Sequence, residues 1–219
     1  MKKARIAVVA TGAVGAYVGA HMARAGLDPV LIDGWPAHVE HMRAHGISIT
    51  GTTPEESFTT PVRALHICDV PQLAREEPFD IAFISPKAYD TEWAAMLIRP
   101  YLAADGCAVS LQNCMNDERL AGVVGWGRTL GCIASKIMVE LFLPGQVHRG
   151  VAKGGPRLHR VSGRRSARQD HRARATDRAT PGERRQRKGE RQPVGRALVE
   201  AGRQLHGKRH VGGYRHAGQ

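Results

Sequence analysis

Residues 5–33 read RIAVVATGAVGAYVGAHMARAGLDPVLID, and the fold turns on this stretch. Arg5–Val9 is a short, continuous apolar run, the pattern of a strand buried on both faces. A turn at Gly12–Gly15 follows. Ala13–Ala25 then has helix-forming composition, with Gly26 as a natural stop. Pro29–Ile32 is a second apolar strand, and it ends on an acid, Asp33. Strand, glycine turn, helix, strand and acid in this order match a dinucleotide-binding βαβ unit. In such a unit the pyrophosphate rests on the free N–H groups and positive dipole end of the helix. One glycine makes the turn, one lets the backbone approach the ligand, and one lets helix pack on strand.

The candidate cofactor-binding segment is Ala10, Thr11, Gly12, Ala13, Val14 and Gly15. The second and third glycines of G-x-G-x-x-G are present. Ala10 stands at the first, where a Cβ resists positive φ. Asp33 is placed to accept a hydrogen bond from a ribose 2′-hydroxyl, which favours NAD over NADP, because a 2′-phosphate beside it would be repelled. No Arg or Lys follows until Arg43. The competing use of the same carboxylate is to cap the helix that starts near Trp35-Pro36.

Outward from this unit the chain keeps alternating. Ala37–His45 is helix-like and stops at Gly46. Ile47–Ile49 and Phe58–Val62 are short strands around a Gly-Thr-Thr turn, and Pro71–Glu77 is a short helix. Asp80–Ser85 is a buried strand, Asp90–Leu102 a helix, Ala108–Leu111 a strand, Asp117–Val124 a helix and Thr129–Ile133 a strand. Alternating strands and helices imply a Rossmann-like, doubly wound, mostly parallel sheet with helices on both faces. The pattern stops near Gly154.

Composition divides the chain at the same place. Residues 1–156 carry 14 Lys+Arg and 15 Asp+Glu, whereas residues 157–219 carry 18 and 5. The basic pI therefore belongs to the C-terminal part alone. That part has no Phe, Trp, Ile, Met or Cys. So few apolar groups at such high charge do not offset the entropy of ordering the chain. The expected division is residues 1–155 as a dinucleotide-binding domain and 156–219 as an irregular or disordered Arg-rich tail. The cysteines, Cys68, Cys107, Cys114 and Cys132, form no C-x-x-C pair, which argues against a zinc site or a disulfide framework and for a reducing, cytoplasmic location. Lys2, Lys3 and Arg5 before an apolar run resemble a signal peptide, but Gly12, Gly15 and Gly19 interrupt the run, and a second strand follows at once. No stretch is long and apolar enough to span a membrane.

Four segments carry a family resemblance: IAVVATGAVGAYVGAHMARAG from Ile6, VLIDGWPAHVEHMRAHGI from Val30, FDIAFISPKAYDTEWAAMLIRPYL from Phe79 and GCAVSLQNCMNDERLAGVVGWGRTLG from Gly106. Over roughly Met1–Gly155 the chain resembles the ketopantoate reductase (2-dehydropantoate 2-reductase) family. The resemblance implies NADPH-dependent reduction of a 2-oxo acid to a 2-hydroxy acid, ketopantoate to pantoate, in pantothenate synthesis. It implies that Lys87, in Pro86-Lys87-Ala88-Tyr89, lies near nicotinamide and substrate, where a cation suits a carboxylate. It also implies that Asn113 touches cofactor and substrate through its amide. The family's Gln-Asn-Gly is here Gln112-Asn113-Cys114, so a side chain stands where the backbone approaches the ligand. Pro86 is a further departure.

In the family a helical second domain supplies the lysine that protonates the ketone oxygen. Nothing after Gly155 matches its Trp, Lys-Leu and Asn signature. The tail's lysines, Lys188 and Lys208, sit in Arg- and Gly-rich surroundings. Carbonyl reduction needs the oxygen polarised and protonated as hydride arrives. No catalytic residue is therefore assigned, and the expectation is a chain inactive by itself. The abrupt change near Gly155–Arg160, to residues that G+C-rich codons give in a wrong frame, suggests an out-of-frame tail. A selected role for that tail would be phosphate neutralisation by RRSARQDHRARATDR (164–178) and GERRQRKGER (182–191). With Tyr214 as its lone aromatic, only non-specific nucleic-acid binding is expected. A third reading is a nucleotide-binding module without chemistry. The remaining partner expectations are a small 2-oxo acid, no membrane, and homo-oligomers formed through the uncovered crevice face.

Overall fold

The computed structural model describes residues 3–132 and 137–151. The expectations that fall on Ile133, the division at residue 155 and the basic tail with Lys188 and Lys208 lie outside the described residues.

The first strand, β1 (Ile6–Val9), is wholly buried. It lies between β2 (Val30–Asp33) and β6 (Phe79–Ile84), parallel to both. The edge strand β5 (Arg63–His66) flanks β2, while β7 (Leu102–Leu111) and β8 (Thr129–Cys132) extend the sheet beyond β6. The order β5-β2-β1-β6-β7-β8 is parallel throughout. It is a Rossmann-like α/β sheet, whose strand order reverses direction between β1 and β6.

Alternation along β1 assigns its side chains to two cores. Ile6 and Val8 join the face covered by α1 (Ala13–Arg24) and α2 (Pro36–His45), with Ala16, Tyr17, Ala20, Val39 and Met42. Ala7 and Val9 join the face covered by α3 (Thr91–Ile98) and α4 (Asp117–Val124), with Ala94, Ile98, Leu120 and Val124. Each large apolar side chain fully buried in this way contributes roughly 1.5–3 kcal/mol before entropy is counted.

A second, four-stranded sheet, β4-β3-β10-β9, packs on the α1 side. Here β3 (Ile47–Thr50) pairs antiparallel with β4 (Phe58–Thr60) and parallel with β10 (Gln146–Arg149). The hairpin partner of β10 is β9 (Val139–Leu143). The turn joining them passes so close to α2 that a Cβ on Gly145 would overlap the His41 ring.

The structure departs from the sequence reading in four places. The strands β5, β9 and β10 were not expected. The strand expected to begin at Ala108 begins at Leu102, with Ala104 and Asp105 exposed. Arg128 holds that extension by donating to the Gly106 and Ala103 carbonyls. The helix expected at Pro71–Glu77 is a 3₁₀ segment at Ile67–Arg75, which contains Pro71 and which the His66 ring caps. The helix expected over Asp90–Leu102 ends as an α-helix at Ile98, and Arg99–Tyr101 continue as one 3₁₀ turn, as Pro100 requires. Among the described residues no helix is long and apolar enough to cross a membrane.

Candidate functional site

The carboxyl ends of the central strands share one edge, and each sequence-selected residue ends or follows one of them. Ala10 follows β1 with φ +60°, so the backbone adopts the left-handed conformation although the residue is not glycine. Its N–H donates to the Ile32 carbonyl (2.8 Å), as does that of Thr11 (3.3 Å), fastening the turn to β2. Gly12 is the N-cap of α1, and among the described residues no side chain caps that helix. Helix geometry leaves the first amides, Ala13, Val14 and Gly15, without intrahelical acceptors. Among the described residues a Cβ on Gly12 would meet nothing within 4 Å, so they leave that side open. Gly15 is the opposite case: a Cβ there would collide with the Ser85 hydroxyl and lie 3.1 Å from the Ala10 carbonyl. The missing side chain lets α1 seat directly on the loop after β6.

Ser85, expected as the last residue of a strand, ties the switch point together. Its hydroxyl lies 3.0 Å from the Val9 carbonyl and 2.9 Å from that of Ala10. The next residue, Pro86, offers its carbonyl to the Gln112 side-chain amide at 2.9 Å. That amide also donates to the Thr91 hydroxyl, and its carbonyl accepts from the Ser110 hydroxyl. Gln112 is thus buried and fully engaged, a brace between the loops after β6 and β7. Lys87 and Asn113, the residues immediately after the braced pair, are both exposed. The Asn113 carbonyl accepts from the Asn116 side chain at 2.8 Å, which shapes the β7 loop. Cys114 has φ +70°, so this second non-glycine also holds a left-handed conformation.

Asp33 ends β2, and the protein engages both of its carboxylate oxygens. One carboxylate oxygen accepts the Trp35 N–H at 2.8 Å, just ahead of α2, and the other lies 3.4 Å from the Thr11 hydroxyl. It is half-buried, with acceptor capacity remaining. Arg43, the first cation after it, bonds the Ala64 carbonyl, Glu40 and Asp69. This side chain is therefore turned to the protein rather than to a ligand. These contacts hold the Asp69 carboxyl below its ordinary value, chiefly through the Arg43 hydrogen bond.

The sequence reading did not single out His38. It is fully buried on α2. Its Nδ1 accepts the Gly145 N–H at 2.9 Å, which leaves Nε2 as the donor to the Thr11 carbonyl at 3.0 Å. Burial pushes the imidazole below 6.5, against weaker opposition from the Thr11 carbonyl and Asp33. The neutral ring therefore links the glycine turn to the β9–β10 turn.

Taken together, the fold and this edge define a Rossmann-like α/β domain with a glycine-turn helix at its topological switch point. The family model described as ketopantoate reductase PanE/ApbA matches residues 6–174, and the chain belongs to that family. The match runs beyond the division expected at residue 155. Among solved structures, a PanE/ApbA family ketopantoate reductase from Ralstonia eutropha JMP134 is 28% identical with TM-score 0.57, covering 67% of this chain and 46% of that one. A 2-dehydropantoate 2-reductase from Geobacter metallireducens GS-15 is 26% identical with TM-score 0.56, covering 66% and 46%. D-mandelate dehydrogenase, in a ternary structure with NADH and anilino(oxo)acetate, shares the fold at 22% identity and TM-score 0.57, covering 66% and 45%. The chain thus spans about half the length of these structures.

Proposed function

We propose that this chain binds a nicotinamide adenine dinucleotide along the carboxyl edge of its parallel sheet, prefers NAD(H), and descends from an enzyme reducing 2-oxo acids such as ketopantoate. The observation that carries the reading is the hydrogen-bonded continuity of that edge. Ala10 meets Ser85, Pro86 meets Gln112, and Thr11 meets Asp33, so the loops sharing a ligand in dinucleotide folds are already one unit.

The residues suit the cofactor. The open side of Gly12 and the first amides of α1 suit a pyrophosphate. Asp33 suits a ribose hydroxyl. When bound, the cofactor supplies hydride. Lys87, exposed on the β6 loop, suits the carboxylate of a 2-oxo acid, and the Asn113 amide suits its neighbouring oxygen or the cofactor's carboxamide. No residue in this set is assigned the proton transfer to the ketone oxygen. We therefore infer that residues 1–155 act as the binding domain, with 156–219 as a separate basic segment. We infer also that the 219 residues alone bind without turnover. Against NADP(H), Asp33 opposes a 2′-phosphate and Arg43 is committed to Asp69, Glu40 and Ala64. A 2-oxo acid as substrate rests on the family, as does a small-molecule partner in general.

The test is titration of the purified chain with NADH and NADPH, followed by nucleotide fluorescence, and then addition of ketopantoate. NADH binding tighter than NADPH binding, without oxidation, supports the whole reading. Tighter NADPH binding overturns the role given to Asp33. Steady oxidation overturns the inference of inactivity, and no binding of either cofactor overturns the site.

A further inference from the structure

We propose that His38 is the positioning residue of the glycine turn, aiming the Gly12 amide at the ligand's pyrophosphate. This rests on the dinucleotide reading above and adds to it a residue outside the glycine motif. The argument starts from the peptide linking Thr11 to Gly12. No described peptide bond is cis, so the Gly12 N–H points opposite to the Thr11 carbonyl. That carbonyl accepts from His38 Nε2 at 3.0 Å, and His38 is fully buried. The carbonyl is thus drawn inward and the Gly12 amide outward, towards the side where a Cβ on Gly12 would meet none of the described residues.

The ring cannot easily turn away from this task. Its other nitrogen is held by the Gly145 N–H at 2.9 Å. The Trp35 ring lies against it with centroids 5.6 Å apart. Gly145 in turn is clasped against α2, with the His41 ring where its Cβ would be. The small sheet, 107 residues further along the chain, therefore fixes the tautomer that grips the turn. A preorganised donor binds an anion without the cost of ordering it first.

Two conservative variants separate positioning from general support. The glutamine amide nitrogen overlays imidazole Nε2, so His38→Gln keeps the donor to Thr11 and gives up the Gly145 contact. The asparagine amide reaches only as far as Nδ1, so His38→Asn keeps an acceptor for Gly145 and releases Thr11. Both are made in the full 219-residue chain, and three quantities are read: the Kd for NADH, the Tm, and the amide resonance and hydrogen exchange of Gly12 without nucleotide. Expected for His38→Gln are near-parental affinity and a near-parental Gly12 resonance, even if its Tm falls. His38→Asn is expected to bind NADH about tenfold more weakly, the equivalent of one lost hydrogen bond, with a shifted and faster-exchanging Gly12 amide. Equal affinities for the two variants, or affinity that follows Tm instead of the Thr11 contact, overturn the proposal. If the parent chain binds no dinucleotide, the functional reading falls. The nucleotide-free Gly12 signal still decides whether His38 sets the turn.

Discussion

Replacing Ala10 with glycine should stabilise the protein, although it removes a methyl group next to the core. At φ +60° the Ala10 Cβ crowds its own backbone, and an L-residue pays roughly 1–2 kcal/mol for that conformation. Glycine avoids the strain but gives the unfolded chain more freedom, a loss of about 0.4–1 kcal/mol. The half-buried methyl gives back a few tenths more. At the middle of these ranges the net gain is about 0.5 kcal/mol, equivalent to about 1–2 °C in Tm for a chain of this size. The turn is fixed by the amides of Ala10 and Thr11 on the Ile32 carbonyl and by the Ser85 hydroxyl on the Ala10 carbonyl. None of these contacts uses the Ala10 side chain, so the substitution should leave the geometry in place. Urea unfolding of Ala10→Gly, the parent and Ala10→Val gives the comparison. The valine variant should lose at least about 1 kcal/mol, because a branched Cβ is a genuine outlier at positive φ. A glycine variant less stable than the parent, or a valine variant equal to it, would show that the turn does not hold the left-handed conformation, and the reasoning would fail.

Cys114→Gly tests the same physics at φ +70°; the exposed position should gain about 0.5–1 kcal/mol in urea unfolding, and a loss would contradict it. Gly15→Ala should destabilise by about 1–3 kcal/mol through overpacking against Ser85. In a double-mutant cycle Ser85→Ala should recover part of that cost, whereas strictly additive losses would mean that α1 is not seated on Ser85. Gln112→Leu should lower Tm and weaken NADH binding together, because it leaves the Pro86 carbonyl and two hydroxyl groups without their buried partner, at about 1–3 kcal/mol. A change in Tm alone would remove Gln112 from the positioning of Lys87. The folded-state pKa of His38 lies below its unfolded value, so the unfolded chain binds the extra proton first. Its contribution to stability is complete above about pH 6.5 and declines as pH falls through that value towards the folded pKa. Unfolding midpoints of the parent and His38→Gln between pH 5 and pH 8 should converge on acidification, and parallel curves would refute the assignment.

The central sheet was legible because its signal is local. Ile6–Val9, Val30–Ile32 and Ile81–Ile84 are apolar runs too short for helices, and burial on both faces leaves no alternation to confuse the reading. Edge strands lack that signature. Arg63–His66 has two buried residues between one exposed and one half-buried, and the exposed Phe142 and Leu143 of β9 invert the usual pattern. Pro144-Gly145 forms the turn between β9 and β10, but neither flanking run alternates clearly enough to be read as a strand. The start of β7 was hidden for a different reason. Ala103-Ala104-Asp105-Gly106 has no strand preference, and Arg128, more than twenty residues later, holds it in place.

The site divides along the same line, and the division shows what a motif encodes. Gly12, Gly15 and Asp33 are visible in sequence because they stand at a fixed spacing within one strand–turn–helix–strand unit. Ser85, Gln112 and His38 act through partners 75, 26 and 107 residues away, and no spacing rule records such distances. Where the two kinds of information met, the local one gave way. Ala10 and Cys114 both lack the glycine that their conformations call for, yet both keep a positive φ. The turn is held from outside the motif by hydrogen bonds to the Ile32 carbonyl, the Ser85 hydroxyl and the His38 ring. Strain of roughly 1–2 kcal/mol at each residue is small beside the several buried hydrogen bonds that a relaxed turn would break. A glycine motif can therefore lose its first glycine and keep its geometry, provided that the contacts around it remain.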